Sequence, residues 1–151
     1  MIRWIFAAIH LLALGLGLGA VWSRGRALRG PLDAAGIRRA LYADNWWGVA
    51  FLLWVVSGLA RAFGGLEKGA DYYLHNRLFL AKMAALGLIL ILEIWPMATL
   101  IRWRMQLGRG ESPDVRPAPL FARISSVQAA LVVLIVLAAT AVARGYGITR
   151  P

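Results

Sequence analysis

The sequence predicts an all-α fold: an integral-membrane bundle of four transmembrane helices with both termini on the outer side. Three observations point there. Of 151 residues, 60% are hydrophobic and 16% charged, where an ordinary soluble domain has about 45–50% apolar and 25% charged. The charge is lopsided, with 17 Lys and Arg against 7 Asp and Glu for a net +10. Four stretches are also long enough to cross a bilayer, whose roughly 30 Å of hydrocarbon needs about 20 helical residues. Apolar spans joined by basic cytoplasmic loops account for both the hydropathy and the charge. So apolar a chain is not disordered, and a nucleic-acid binder would carry its basic residues on a water-soluble body, so no nucleic-acid partner is expected. The absence of cysteine excludes disulfides, iron–sulfur clusters, thiolate metal sites and a cysteine nucleophile.

The length suits one domain. Its first span covers residues 2–22, the second 46–63, the third 73–101 and the fourth 124–143. Asp71 is placed to cap the third near Tyr73, and Pro96 within it removes a hydrogen bond and should kink the helix. Between spans one and two, residues 23–45 carry five arginines, among them Arg24 and Arg26. The second half of that loop, Asp33 to Ala43, suits a short interfacial helix burying Ile37, Leu41 and Tyr42. Residues 102–123 carry five more arginines around a Gly- and Pro-rich linker. Ten basic residues thus fall on one side and six on the other, which puts both termini and the middle loop outside. The basic loops then meet anionic lipid.

Trp22, Trp46, Trp47, Trp103 and Phe121 fall at the inner ends of the spans, and Trp4, Phe63, Tyr72, Tyr73 and Tyr146 at the outer ends, as interfacial belts do. Trp54 and Trp95 lie deeper, where packing between helices is expected. A cleaved signal peptide is the rival reading of span one. Its single n-region arginine, Arg3, and its long apolar run argue against it.

Ionisable groups inside a span are costly and face the bundle interior. Three lie well inside the spans, away from their ends: His10, Lys82 and Glu93. His10 lies about 12 Å and Lys82 about 13 Å from the outer end, if the third helix starts at Tyr73. The pair therefore shares a depth. A neutral histidine there can bind a metal or haem iron or shuttle a proton; equally, it can hydrogen-bond a neighbouring helix while Lys82 snorkels outward. Glu93 is either a proton relay, a protonated hydrogen-bonding partner, or the counter-charge of an arginine at the inner rim such as Arg24 or Arg102. His75 shares the face of Lys82 nearer the surface, where an exposed interfacial histidine costs little; it is otherwise the candidate second axial ligand or proton-entry group. Gly15 and Gly19 form a GxxxG pair suited to helix–helix contact, including self-association. Gly17 shares the His10 face and would leave room for a flat cofactor. No nucleotide loop, HExxH, GxSxG or paired carboxylates occur, so no catalytic residue is assigned.

Several stretches carry a resemblance: His10-Leu-Leu-Ala-Leu-Gly-Leu-Gly-Leu-Gly-Ala-Val-Trp22, Ala43-Asp-Asn-Trp-Trp-Gly48, Gly65-Leu-Glu-Lys-Gly69, Tyr72-Tyr-Leu-His-Asn76 and Leu92-Glu-Ile-Trp-Pro-Met97. Together they resemble a family of predicted bacterial inner-membrane proteins, domain of unknown function 2214, over nearly the whole chain. That family implies location and class but no activity. A more distant pattern is similar to four-helix membrane proteins of the HemJ-type protoporphyrinogen oxidase and copper resistance D groups. It comprises a histidine early in span one, an arginine at that helix's inner end and, in the oxidase, a lysine early in span three. The likeness implies His10 as a haem b ligand, with Lys82 and Arg24 or Arg26 meeting carboxylates of porphyrin or cofactor. Two readings result: a cofactor-free membrane module, either a small permease subunit or a partner-binding bundle, and a haem-binding, redox-linked membrane protein.

Overall fold

The computed structural model describes residues 1–64 and 75–147. Four helices run through them: α1 (Ile2–Ala27), α2 (Ala34–Phe63), α3 (Arg77–Gly108) and α4 (Ala118–Ala143). Each is long and apolar enough to cross a membrane. The expected interfacial helix is instead the first three turns of α2. Asp33 caps it by accepting from the Gly36 amide at 2.7 Å, and the helix then continues without a break into the span. Ile37 and Leu41 are buried as expected, but Tyr42 is exposed. At the loop end of the bundle α1, α3 and α4 likewise outrun their apolar stretches. Arginine is a good helix former, so the polar turns that close a hydropathy window still wind.

Helix α3 begins at Arg77, not near Tyr73, and its cap is Asn76, whose side chain accepts from the Leu78 and Phe79 amides. Asp71, Tyr72 and Tyr73 lie outside the described residues. Asn76 is fully buried. Its amide donates to the Tyr146 carbonyl at 3.0 Å, and the Arg77 amide donates to the Gly147 carbonyl at 3.0 Å. The start of α3 is thereby tied to the chain leaving α4. Gly147 sits at φ +83°, and a Cβ there would meet Asn76 Oδ1 and Leu78 Cγ at 2.8 Å; only glycine fits that turn.

The helices form a closed ring in which α1 touches α2 and α4, and α3 touches α4 and α2. Most large apolar side chains point outward, among them Leu12, Leu52, Ile91 and Leu137. Their surroundings must be hydrocarbon, because patches of this size are not left to water. The interior holds two apolar clusters. One, built around Val21, Trp47, Trp54, Ile89 and Ile135, fills the middle and the termini end. The other, around Leu28, Leu41, Leu100, Trp103 and Phe121, fills the loop end. Trp47, Trp103 and Phe121 are therefore core residues and not interfacial ones, because each lies on the inward stripe of its helix. Trp22, Trp46, Trp4 and Tyr146 are exposed as an interfacial belt requires, and Trp54 is buried. Trp95 is 55% exposed and makes an edge contact with Phe121. Pro96 is buried inside α3, which continues through it. The α3–α4 connection carries local ion pairs, Arg109 with Glu111 and Arg116 with Asp114. Hydrogen bonds from Arg116 hold the Asp114 carboxyl below its ordinary value.

Candidate functional site

A polar layer separates the two apolar clusters. On every helix its members fall between residues of one cluster and residues of the other: Arg24 on α1, Asp44 on α2, Glu93 on α3, and Ser125 and Gln128 on α4. Arg24 is fully buried. A guanidinium has five N–H donors, and five hydrogen bonds leave this one. Nε donates to Ser125 Oγ at 3.1 Å. Nη1 donates to Asp44 Oδ1 at 2.8 Å and Glu93 Oε1 at 2.6 Å. Nη2 donates to Glu93 Oε2 at 2.9 Å and Gln128 Oε1 at 2.8 Å. Gln128 in turn donates to Glu93 Oε2 at 2.7 Å. Arg104, half-exposed, approaches the other Asp44 oxygen at 3.7 Å, so two carboxylates face two guanidinium groups. Among the described residues no buried side-chain polar atom is left without a partner. A network satisfied this completely holds four helices in one arrangement. Glu93 is thus the counter-charge of Arg24, and Arg24 is not a loop arginine facing lipid.

A second polar grouping lies toward the termini end. His10 Nδ1 stands 3.0 Å from the Trp54 carbonyl and 3.0 Å from Ser57 Oγ. The carbonyl can only accept, and the Ser57 hydroxyl is already directed at the Leu53 carbonyl at 2.6 Å. The ring proton of neutral His10 therefore sits on Nδ1, which leaves Nε2 as an acceptor. Close approach of the ring to α2 depends on Gly58, where a Cβ would fall 2.8 Å from His10 Cε1. Lys82 places its ammonium 4.7 Å from the centroid of the Phe79 ring, within cation–π range. His10 and Lys82 line the same hollow, an inner pocket of about 60 Å³ opening beside a cleft of about 360 Å³ that Arg61 also lines. The expected pairing of His10 with Lys82 holds although its premise shifts. With α3 starting at Arg77, Lys82 lies only about 8 Å along its helix, and the tie between Asn76 and Tyr146 sets its height.

The remaining expected residues do not join them. Arg24 is fourteen residues beyond His10, about 21 Å along α1, and is committed to carboxylates of the protein. His75 is exposed at the end of the bundle and is not among the cleft-lining residues. Gly17 leaves no slot, because the Trp47 ring packs 3.4 Å from where its Cβ would be. Gly15 and Gly19 have nothing within 4 Å, so they mediate no contact within the bundle. The residues that the resemblance implies for a haem are thus not gathered around His10: Arg24 is remote and paired, the Gly17 face is filled and His75 stands outside the hollow. These residues do not fit a haem, and no step is routed through one. No group of three or more His, Cys, Asp or Glu able to hold a metal occurs among the described residues. Sequence reasoning passed over Asp44, Ser57, Gly58, Ser125 and Gln128. Of these, Ser125 and Gln128 carried a usable signal, as polar residues one turn apart in the strongly apolar fourth span.

A family model described as Predicted membrane protein (DUF2214) matches residues 2–147. No match was found among curated proteins or among solved structures. The chain belongs to this family and is a multi-pass membrane protein with four candidate spans.

Proposed function

We propose that this family member is a cofactor-free binding module of the bacterial inner membrane whose cleft at the termini end receives the carboxylate head of a single-chain amphiphile. The observation that carries the reading is the convergence of His10 and Lys82 on one hollow, lined for the most part by apolar side chains such as Leu14, Ile135 and Ala139, with Arg61 and Thr140 in its outer cleft. Small-ligand sites have this character: concave, mostly apolar, about 300–1,000 Å³, with a few convergent polar groups. Lys82 supplies the counter-charge, and Nε2 of His10 takes the proton of a head group that enters as the acid, after which its N–H donates to the resulting carboxylate. Phe79 and the α1 and α4 aliphatics receive the first carbons of the tail.

The test uses the purified full chain in detergent with 9,10-dibromostearate, whose bromines quench tryptophan, since Trp54 lines the inner pocket. Saturable quenching is expected from the acid and not from its methyl ester. Lys82→Met should weaken it at least tenfold with helicity unchanged by circular dichroism. Equal quenching by acid and ester, or by wild type and Lys82→Met, would overturn the proposal.

The arginine-rich loop end is assigned to the cytoplasm and the termini to the outside, on the excess of basic residues in the two loops. A chain without cysteine is suited to checking this. Ser112→Cys should be protected from a membrane-impermeant maleimide in intact spheroplasts and Tyr146→Cys labelled; the reverse pattern would invert the orientation.

A further inference from the structure

Of the five arginines between Arg24 and Arg39, two are used inside the protein. Arg24 is buried, and Arg29 donates to the Ala122 carbonyl and Ser126 Oγ. Arg26, Arg38 and Arg39 have no such use. All three are exposed, and among the described residues none of them meets a carboxylate. They converge because Arg26 lies one turn after Trp22 on α1, while Arg38 and Arg39 lie in the second turn of α2, directly across the tight 28–33 connection. Between them is a groove of about 1,020 Å³.

The groove is two-sided in character. Its end toward the connection is lined by the three arginines and closed by Gly30. Its other end is walled by Leu16, Gly19, Ala20 and Trp46. Between the two, Tyr42 and Trp46 make an edge-to-face pair with centroids 6.4 Å apart, and Trp22 stands exposed opposite. Gly19 has open space where a side chain would be, which leaves a channel continuous with the lipid-facing surface. Basic groups at one end, amphipathic rings at the middle and an apolar trough at the other follow the order of a phospholipid from phosphate to acyl chain.

We propose that this groove is a binding site for one anionic glycerophospholipid, its phosphodiester held between Arg26 and the Arg38–Arg39 pair and one acyl chain laid against Leu16, Gly19 and Trp46. Arginine suits the task, since its planar fork matches phosphate oxygens in a bidentate way. The inference rests on membrane placement alone. It is independent of the carboxylate cleft at the other end and, in a symmetric bilayer, of orientation.

The test is native mass spectrometry of the full chain released from nanodiscs containing equal phosphatidylglycerol and phosphatidylcholine. One phosphatidylglycerol is expected to stay bound in preference to phosphatidylcholine. At about fivefold per arginine near a charged surface, Arg26→Gln/Arg38→Gln/Arg39→Gln should lower its retention by about a hundredfold. Arg123→Gln, on α4, should leave it unchanged. Gly19→Leu, which fills the trough and leaves every charge in place, should also release the lipid. Equal retention of both lipids, retention surviving the triple substitution, or displacement by millimolar inorganic phosphate would overturn the site. So would retention unchanged by Gly19→Leu, or a second copy of the chain occupying the Gly19 face in the released complex.

Discussion

Arg24→Met is expected to destabilise the protein by about 3–5 kcal/mol, the loss typical when one partner of a buried ion pair is removed. The cost arises from what remains. Asp44 and Glu93 would be left at the centre of the bundle without their main counter-charge, Arg104 approaching only one Asp44 oxygen at 3.7 Å and being half-exposed. The same physics predicts a rescue. In Arg24→Met/Asp44→Asn/Glu93→Gln no buried charge is left unpaired, and an amide at 93 can still bond Gln128. That variant should recover more than half of the lost stability. Reversible unfolding in mixed detergent micelles, followed by circular dichroism, measures both. If the triple variant is as unstable as the single one, the layer acts through shape and hydrogen-bond geometry and not through charge compensation.

Gly36→Ala should cost about 3 kcal/mol, from overpacking together with loss of an N-cap bond. Gly36 is the third residue of α2, and a Cβ there would fall 1.9 Å from the Pro31 carbonyl oxygen. The obstacle is backbone, so no side-chain rotation relieves it. The 28–33 connection must move, and with it the Asp33 cap, Leu28 and Ile37 in the loop-end cluster. The contrast is Gly15→Ala, where the new methyl meets nothing within 4 Å and helix propensity favours alanine by up to about 1 kcal/mol. A fall in unfolding midpoint for the first and none for the second is the expected pair of results. Equal midpoints would mean that the connection yields easily.

Much of the fold was legible because hydrocarbon imposes a simple length rule on apolar stretches. The sequence also marked His10, Lys82 and Glu93 as inward-facing, because an ionisable group in a span has few other places to go. It named Arg24 among the possible partners of Glu93. What it could not show was which distant side chain fills a gap. Gly17 looked like vacant space until Trp47, thirty residues on, packed against it. Arg24 and Asp44 read as parts of a basic loop because the hydropathy of their surroundings falls, yet the helices there continue. Once α1 and α2 extend past their apolar runs, both residues turn inward and the loop shrinks to a few residues. The aromatic belt was overextended for a related reason, since Trp47 and Trp103 have the same local composition as Trp46 and differ only in the face they occupy.

The Arg24 layer also bears on the order in which the protein is made. Its acceptors lie 20, 69, 101 and 104 residues beyond Arg24 in the chain. When α1 and α2 have emerged the guanidinium has one carboxylate, with α3 it gains the second, and with α4 its last two donors are satisfied. Until then the arginine is held best at the polar surface, where water serves the unmet donors. Completion of the fourth helix is thus the step that lets the first settle to its final depth, and a nascent chain stopped before Ser125 carries a ready mark of its own incompleteness.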